Sequence, residues 1–282
     1  MYNEVMSGKR INIIKSLSVL FIAVCMGIVF SGQSVMAEDF DYQQAFKDYQ
    51  YNYNLYNKLY DDYRLSRARY MQYRTLVSEE EAKKATLAML LARDESMKTY
   101  LTALRLRVME NQGLSDSEKE SVFKRIDPEV KFFEEHKEKL LSAGSLKDFV
   151  RDSDKAKDRY KYFTEGVFYS ALINISVGNT AYKREQIEEI ISDLRSKITE
   201  IKVAGDKDVS VIDKFFVEVD NKLARSKDKE LAAIDIMNQS EKSNKNKANY
   251  YNDAISSVQG SYLYLKEIVS YLKEIVRMIK VK

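Results

Sequence analysis

Beyond residue 40, apolar side chains recur every three or four positions along almost the whole chain. That spacing lines one side of a helix, and strand alternation does not produce it. Over residues 40–76, Phe46, Tyr49, Tyr53, Tyr56, Tyr60, Tyr63 and Tyr70 follow at intervals of three, four or seven, the seam of a helix that meets a partner helix. Ser78, followed by Glu79, Glu80 and Glu81, reads as the next helix start. Ser78 is the expected cap, Glu81 reaches back, and the acids suit the positive end of the helix dipole. Ala82, Ala85, Met89, Ala92, Met97, Tyr100, Leu101, Leu104 and Val108 then supply one apolar face to about residue 110. The short link predicts an antiparallel helical hairpin.

Asn111-Gln112-Gly113 reads as a stop, with Gly113 suited to a left-handed cap. Ser115 with Glu118 forms a capping box that opens a short helix to Ile126, and Asp127-Pro128 reads as a cap with proline at the first position of another. That helix should end near Ala143-Gly144, with Ser145 and Asp148 restarting the chain. From 146 to 203 there is no proline. Phe149, Ala156, Tyr160, Phe163, Val167, Leu172, Ile187, Ile190, Ile191, Leu194, Ile198 and Ile201 predict one very long helix or two nearly collinear ones, with Gly166 and Gly178 as weak points. Some 55 residues would span roughly 80 Å, which predicts an elongated molecule.

Residues 204–209, with Gly205, read as a turn. A helix over 210–239 should turn Ile212, Phe215, Phe216, Val219, Leu223, Leu231, Ile234 and Met237 inward, followed by a polar loop over 240–249. The last helix, 250–279, carries a seven-residue repeat: Tyr264-Leu265-Lys266-Glu267-Ile268-Val269 returns as Tyr271-Leu272-Lys273-Glu274-Ile275-Val276. A period of seven marks a coiled-coil seam. The expected fold is all-α: an elongated antiparallel helical bundle or coiled coil with long helices. Its expected parts are a leader over 1–37, a Tyr-rich hairpin over 38–112, short connecting helices over 113–144 and a long-helix bundle over 145–282.

Composition supports helices over sheets: of 282 residues one is Pro, nine are Gly and 32% are charged. Lys and Arg number 46 against 43 Asp and Glu, a net of +3 that carries no nucleic-acid or anionic-membrane signal. The opening residues do change the picture. Lys9, Arg10 and Lys15 precede an apolar run over 17–30, and Val35-Met36-Ala37 ends a small, polar stretch. This pattern predicts an export signal cut between Ala37 and Glu38. The run is short for a membrane span; an uncleaved anchor is the alternative. Lipidation at Cys25 fits poorly, because Val24 stands where a small residue is wanted. Without Lys9, Arg10, Lys15 and Glu4 the counts become 43 and 42, and no cysteine is left, so packing alone must hold the mature chain.

Candidate chemistry is sparse. Nine of the 20 tyrosines lie between Tyr42 and Tyr73. They form either a packed seam or an aromatic strip for glycan, peptidoglycan or unfolded polypeptide. Tyr51 lies about 200° around from Tyr49 and should be exposed. Tyr42, Tyr51 and Tyr73, with the basic patch Lys242, Lys245 and Lys247, are the candidate partner-binding residues; the patch reads otherwise as a solvated loop. His136, the one histidine, lies near Glu134, Glu135 and Glu138 but lacks the companions of a zinc set, and reads as solvated helix surface. Glu185, Glu188 and Glu189 read as an ion-paired outer face beside Lys183 and Arg184. Asp206-Lys207-Asp208 lacks the further ligands of a calcium loop. No metal, cofactor or nucleic acid is expected. Lys266, Lys273, Arg277, Lys280 and Lys282 would suit a membrane surface, but the heptad repeat favours packing on another helix.

The stretches Tyr53-Asn54-Leu55-Tyr56, Tyr60-Asp61-Asp62-Tyr63, Tyr70-Met71-Gln72-Tyr73, Leu91-Ala92-Arg93-Asp94 and Lys98-Thr99-Tyr100-Leu101 resemble Tyr-rich exported helical-hairpin proteins of candidate-phylum bacteria. The likeness covers roughly 60 residues, implies a bacterial envelope or extracellular setting, and brings no functional residue. The expected function is a non-enzymatic scaffold or interaction protein of the cell envelope or extracellular space, its partner a protein (a second copy or an envelope protein) or cell-wall glycan, with membrane contact only through an uncleaved leader. A holdase-like periplasmic chaperone with coiled-coil arms is the alternative. A cell-wall-binding or cell-wall-hydrolysing protein is the second.

Overall fold

The computed structural model describes residues 41–204, 210–243 and 246–280. The expected leader, Cys25, the Asp206-Lys207-Asp208 turn with Gly205, and Lys245 lie outside them. The described residues all belong to one unit, Phe40–Lys282, and no strand occurs among them.

Capping chemistry sets most boundaries. Asp41 Oδ1 accepts from the Gln44 N–H at 2.8 Å and opens α1, Tyr42–Tyr73. Helix α2, Leu76–Met109, starts three residues earlier than expected, because Thr75 rather than Ser78 is the cap. Ser78 is the other half of the box: its N–H donates to Thr75 Oγ1 at 3.1 Å, and its Oγ accepts from the Thr75 N–H at 3.0 Å. Only Arg74 and Thr75 separate the helices. Arg74 takes the left-handed conformation (φ 52°), the one non-glycine to do so among the described residues, at a cost of roughly 1 kcal/mol.

Helix α3, Asp116–Ser142, opens on the expected Ser115–Glu118 box. It then runs straight past Asp127-Pro128, which does not begin a new helix. Pro128 leaves one backbone acceptor without its helical donor, while Asp127 accepts from Arg105 Nε at 2.7 Å on α2. Ser145 caps α4, Leu146–Arg159. A π-helical turn, Tyr160–Thr164, joins α4 without a break to α5, Glu165–Ala204. Helix α6 is Ser210–Lys242 and α7 is Lys247–Lys280, so the polar loop is shorter than expected. Lys247 holds this end, its Nζ donating to the carbonyls of Ser240 and, at 2.7 Å, Ser243.

Neighbouring helices run antiparallel. Along α1 and α2, Tyr42 meets Arg107 and Tyr49 meets Tyr100, one number falling as the other rises. The same reversal pairs Arg105 with Asp127 and Lys98 with Glu134 on α2 and α3. It recurs as Arg195–Asp220 and Lys202–Asp213 on α5 and α6, and as Ser226–Ser261 and Phe215–Tyr271 on α6 and α7.

Helix α2 is buried on more than the single expected face: Leu90, Ala103 and Leu106 join Leu101, Leu104 and Val108 in the core, since α1, α3 and α5 all pack on it. The later half of α5 is amphipathic. Ile187, Ile191 and Ile198 meet Ile212, Phe216 and Val219 of α6 and the heptad positions Leu265, Ile268, Leu272 and Ile275 of α7. Each such side chain contributes about 1.5–3 kcal/mol on burial. Phe163, Ile190 and Leu231 were expected inward and are exposed.

Candidate functional site

Gly113 and Gly178 let the link between α2 and α3 lie against α5, because neither has a side chain. Gly113 is not in the left-handed conformation expected of it. Its Cα instead lies so close to α5 that a Cβ would stand 1.8 Å from the Gly178 carbonyl oxygen. Asn111, buried beside it, donates to the Ile175 carbonyl and to Asn179 Oδ1, both at 3.0 Å, and accepts from the Gly113 N–H. The link between α2 and α3 is thereby seated on α5, and neither Gly166 nor Gly178 interrupts the helix.

From this joint an aromatic row crosses four helices. Tyr42, Phe46 and Tyr49 of α1 follow one another at ring separations of 5.8 and 5.9 Å. Tyr49 meets Tyr100 of α2 at 4.9 Å, Tyr100 meets Phe168 of α5 at 5.1 Å, and Tyr169 meets Tyr251 of α7 at 5.1 Å. Burial pushes the Tyr169 and Tyr251 phenols up to about 12, and it raises those of Tyr49, Tyr100 and Tyr160 as well.

His136 departs furthest from expectation. It is 3% exposed, not solvated. Its Nδ1 lies 2.5 Å from Asp94 Oδ2 and its Nε2 lies 2.8 Å from the Asp152 carbonyl. Asp94 Oδ1 accepts from Arg93 Nε at 3.0 Å, and Phe132 stacks on the imidazole. Both ring nitrogens thus face acceptors. An Asp–His pair invites comparison with hydrolase sites, but Nε2 is already engaged by backbone. The neighbouring Ser153 Oγ accepts from Arg93 Nη1 at 3.0 Å instead of facing the ring. The arrangement can orient α2, α3 and α4; it presents no nucleophile beside a free base. The signal in the sequence was its spacing: Ile126, Glu129, Phe133, His136 and Leu140 line the buried side of α3.

Glu129 repeats the theme. It accepts from Arg159 Nη2 at 2.5 Å and from Thr164 Oγ1 at 2.7 Å, inside the π turn that leaves Tyr162 and Phe163 facing outward. Farther along, Glu230 takes Ser261 Oγ at 3.1 Å and Arg184 Nε at 3.4 Å. Glu188, expected on an ion-paired outer face, pairs with Arg184 at 3.0 Å. Among the described residues no group of three His, Cys, Asp or Glu side chains could hold a metal ion, and no helix is long and apolar enough to cross a membrane.

The candidate partner-binding residues are not brought together. Tyr42 is buried, under the Arg107 guanidinium, and offers no surface. Tyr51 is 69% exposed, partway along α1, and Tyr73 is 61% exposed at its end. Lys242 is exposed and Lys247 is half-buried at its helix-capping bonds. Tyr73 has company that sequence reasoning missed: Met71, Leu76 and Val77 are all exposed around the α1–α2 turn. A cap at Ser78 would leave Leu76 and Val77 in a loop, whereas the cap at Thr75 puts them on the first turn of α2.

Comparison with protein-family models, with curated proteins and with solved structures finds no match. The all-α class and the interior and surface of this chain therefore carry the functional reading.

Proposed function

We propose that this protein is an exported, non-enzymatic scaffold or interaction protein of the cell envelope or extracellular space, and that it meets its partner through the free end of the α1–α2 hairpin. One observation carries the reading. The polar groups that elsewhere do chemistry, Asp94, His136, Glu129 and Glu230, are bonded inside the bundle, while Met71, Tyr73, Leu76 and Val77 are exposed together within seven residues at the α1–α2 turn. Exposed apolar surface of that kind marks contact sites. The export signal over 1–37 supplies the compartment in this reading.

Pull-down from envelope extract tests it. The wild-type chain should retain a partner that a Tyr73→Ser, Leu76→Ser, Val77→Ser variant loses, with helical content unchanged. Equal recovery by both would refute the assignment of the surface. A holdase-like chaperone is the second reading, favoured by the same apolar end and by the half-exposed tyrosines along α1. Suppression of light scattering by an unfolded outer-membrane protein would support it over a fixed scaffold.

A further inference from the structure

The end of the α1–α2 hairpin stands beyond the rest of the bundle. The last cluster that α3 and α4 contribute here is Leu140 and Phe149, packed on Met89 and Leu90. From there to the turn, α2 is the described helix that packs along α1, over about 20 Å at 1.5 Å per residue. Charge is sorted along this arm. Residues 63–78 contain Arg64, Arg67, Arg69 and Arg74 and no acidic residue, whereas α2 then begins with Glu79, Glu80 and Glu81. Among the described residues no ion pair joins the two sets: Arg64 pairs with Asp61 and Glu80 with Lys83.

We propose that the occupant of this arm is a second copy of the same arm, laid alongside it antiparallel about a two-fold axis. In that arrangement α1 of one copy lies beside α2 of the other. With an overlap of about 15 Å, α1 residues meet partner residues about eleven positions higher in number. Leu65, itself 61% exposed, and Arg69 lie four residues apart on one side of α1, and they then face Val77 and Glu81, four residues apart on one side of α2 in the other copy. One register satisfies both the apolar and the ionic match, and it fits within the length of bare hairpin. Leu65, Tyr73 and Val77 expose on the order of 100 Å² each, so with the Arg69 stem two arms bury about 800 Å², the size of a weak, reversible interface. An anionic membrane surface would welcome the arginines but not the three glutamates beside them.

The inference rests on the reading of this hairpin end as the contact surface, and names its partner. Sedimentation velocity on the purified protein tests it, with circular dichroism as a check that each variant is folded. Wild type should pass from monomer to dimer with concentration, more weakly in high salt. The charge reversals Arg69→Glu and Glu81→Lys should each weaken dimerisation severalfold. The two single-sided variants mixed together, or both changes in one chain, should restore it. Wild type monomeric up to about 100 μM, reversals without effect, or a monomer that binds anionic phospholipid vesicles would each overturn the proposal. A monomer that still recovers an envelope protein through Tyr73, Leu76 and Val77 would leave the interaction reading standing and remove only the second copy.

Discussion

Adding one methyl group to either of two glycines of α5 should move stability in opposite directions. At Gly166 a Cβ meets nothing within 4 Å, so Gly166→Ala should gain about 0.5–1 kcal/mol from reduced backbone freedom in the unfolded chain. At Gly178 the same Cβ would stand 2.4 Å from Asn111 Oδ1 and 2.7 Å from Leu114 Cγ. Asn111 cannot swing away cheaply, because its amide bonds to Ile175, Asn179 and Gly113 hold the link on α5. Overpacking costs about 1–3 kcal/mol and each lost hydrogen bond about 1 kcal/mol, against a propensity gain of about 1 kcal/mol. Gly178→Ala should therefore lose roughly 2 kcal/mol net. At about 2–4 °C per kcal/mol for a chain of this size, thermal unfolding followed by helical circular dichroism should fall by about 6 °C for Gly178→Ala and rise by about 2 °C for Gly166→Ala. Gly113→Ala, whose Cβ would strike backbone, should be worse than either. If Gly166→Ala and Gly178→Ala shift the midpoint alike, the close approach of the link to α5 is wrong.

Three further outcomes follow from the interior. His136→Ala should cost about 3–5 kcal/mol by leaving Asp94 buried without one of its partners, read as a lower denaturation midpoint; a loss under 1 kcal/mol would mean the ring is solvated. Alkaline titration followed by tyrosinate absorbance should show Tyr169 and Tyr251 protonated past their ordinary value of 10.0 and up to about 12. Because the fold holds these protons more tightly than the unfolded chain, their contribution is whole below pH 10 and is lost between pH 10 and about 12; all tyrosines titrating together near 10 in folded protein would contradict the buried aromatic row. Hydrogen exchange should be faster over residues 54–73 of α1 than over 90–108 of α2, since the first has water on most sides and the second almost none. The reverse order in isolated monomer would refute the description of the arm.

Local chemistry made much of this molecule readable in advance. The three- and four-residue spacing fixes helix as the class, Ser115 with Glu118 and Ser145 with Asp148 fix two starts, and the seven-residue repeat of α7 marks a seam against other helices, on which Leu265, Ile268, Leu272 and Ile275 are buried. These depend on groups within one or two turns of each other. Tertiary structure decided the rest, for reasons that lie in distant residues. Thr75 and Ser78 are both fair caps, and which one ends the turn settles whether Leu76 and Val77 sit in a loop or on an exposed helical end. Asp127-Pro128 has the form of a helix start, but Arg105 claims the aspartate. Glycine 178 looks like a weak point until Gly113 arrives 65 residues earlier in the chain to use the space. His136 reads as surface until Asp94 and the Asp152 carbonyl close over it. A residue's neighbours along a helix set its conformation, whereas its neighbours across helices set its burial and charge, and only the packed chain specifies those.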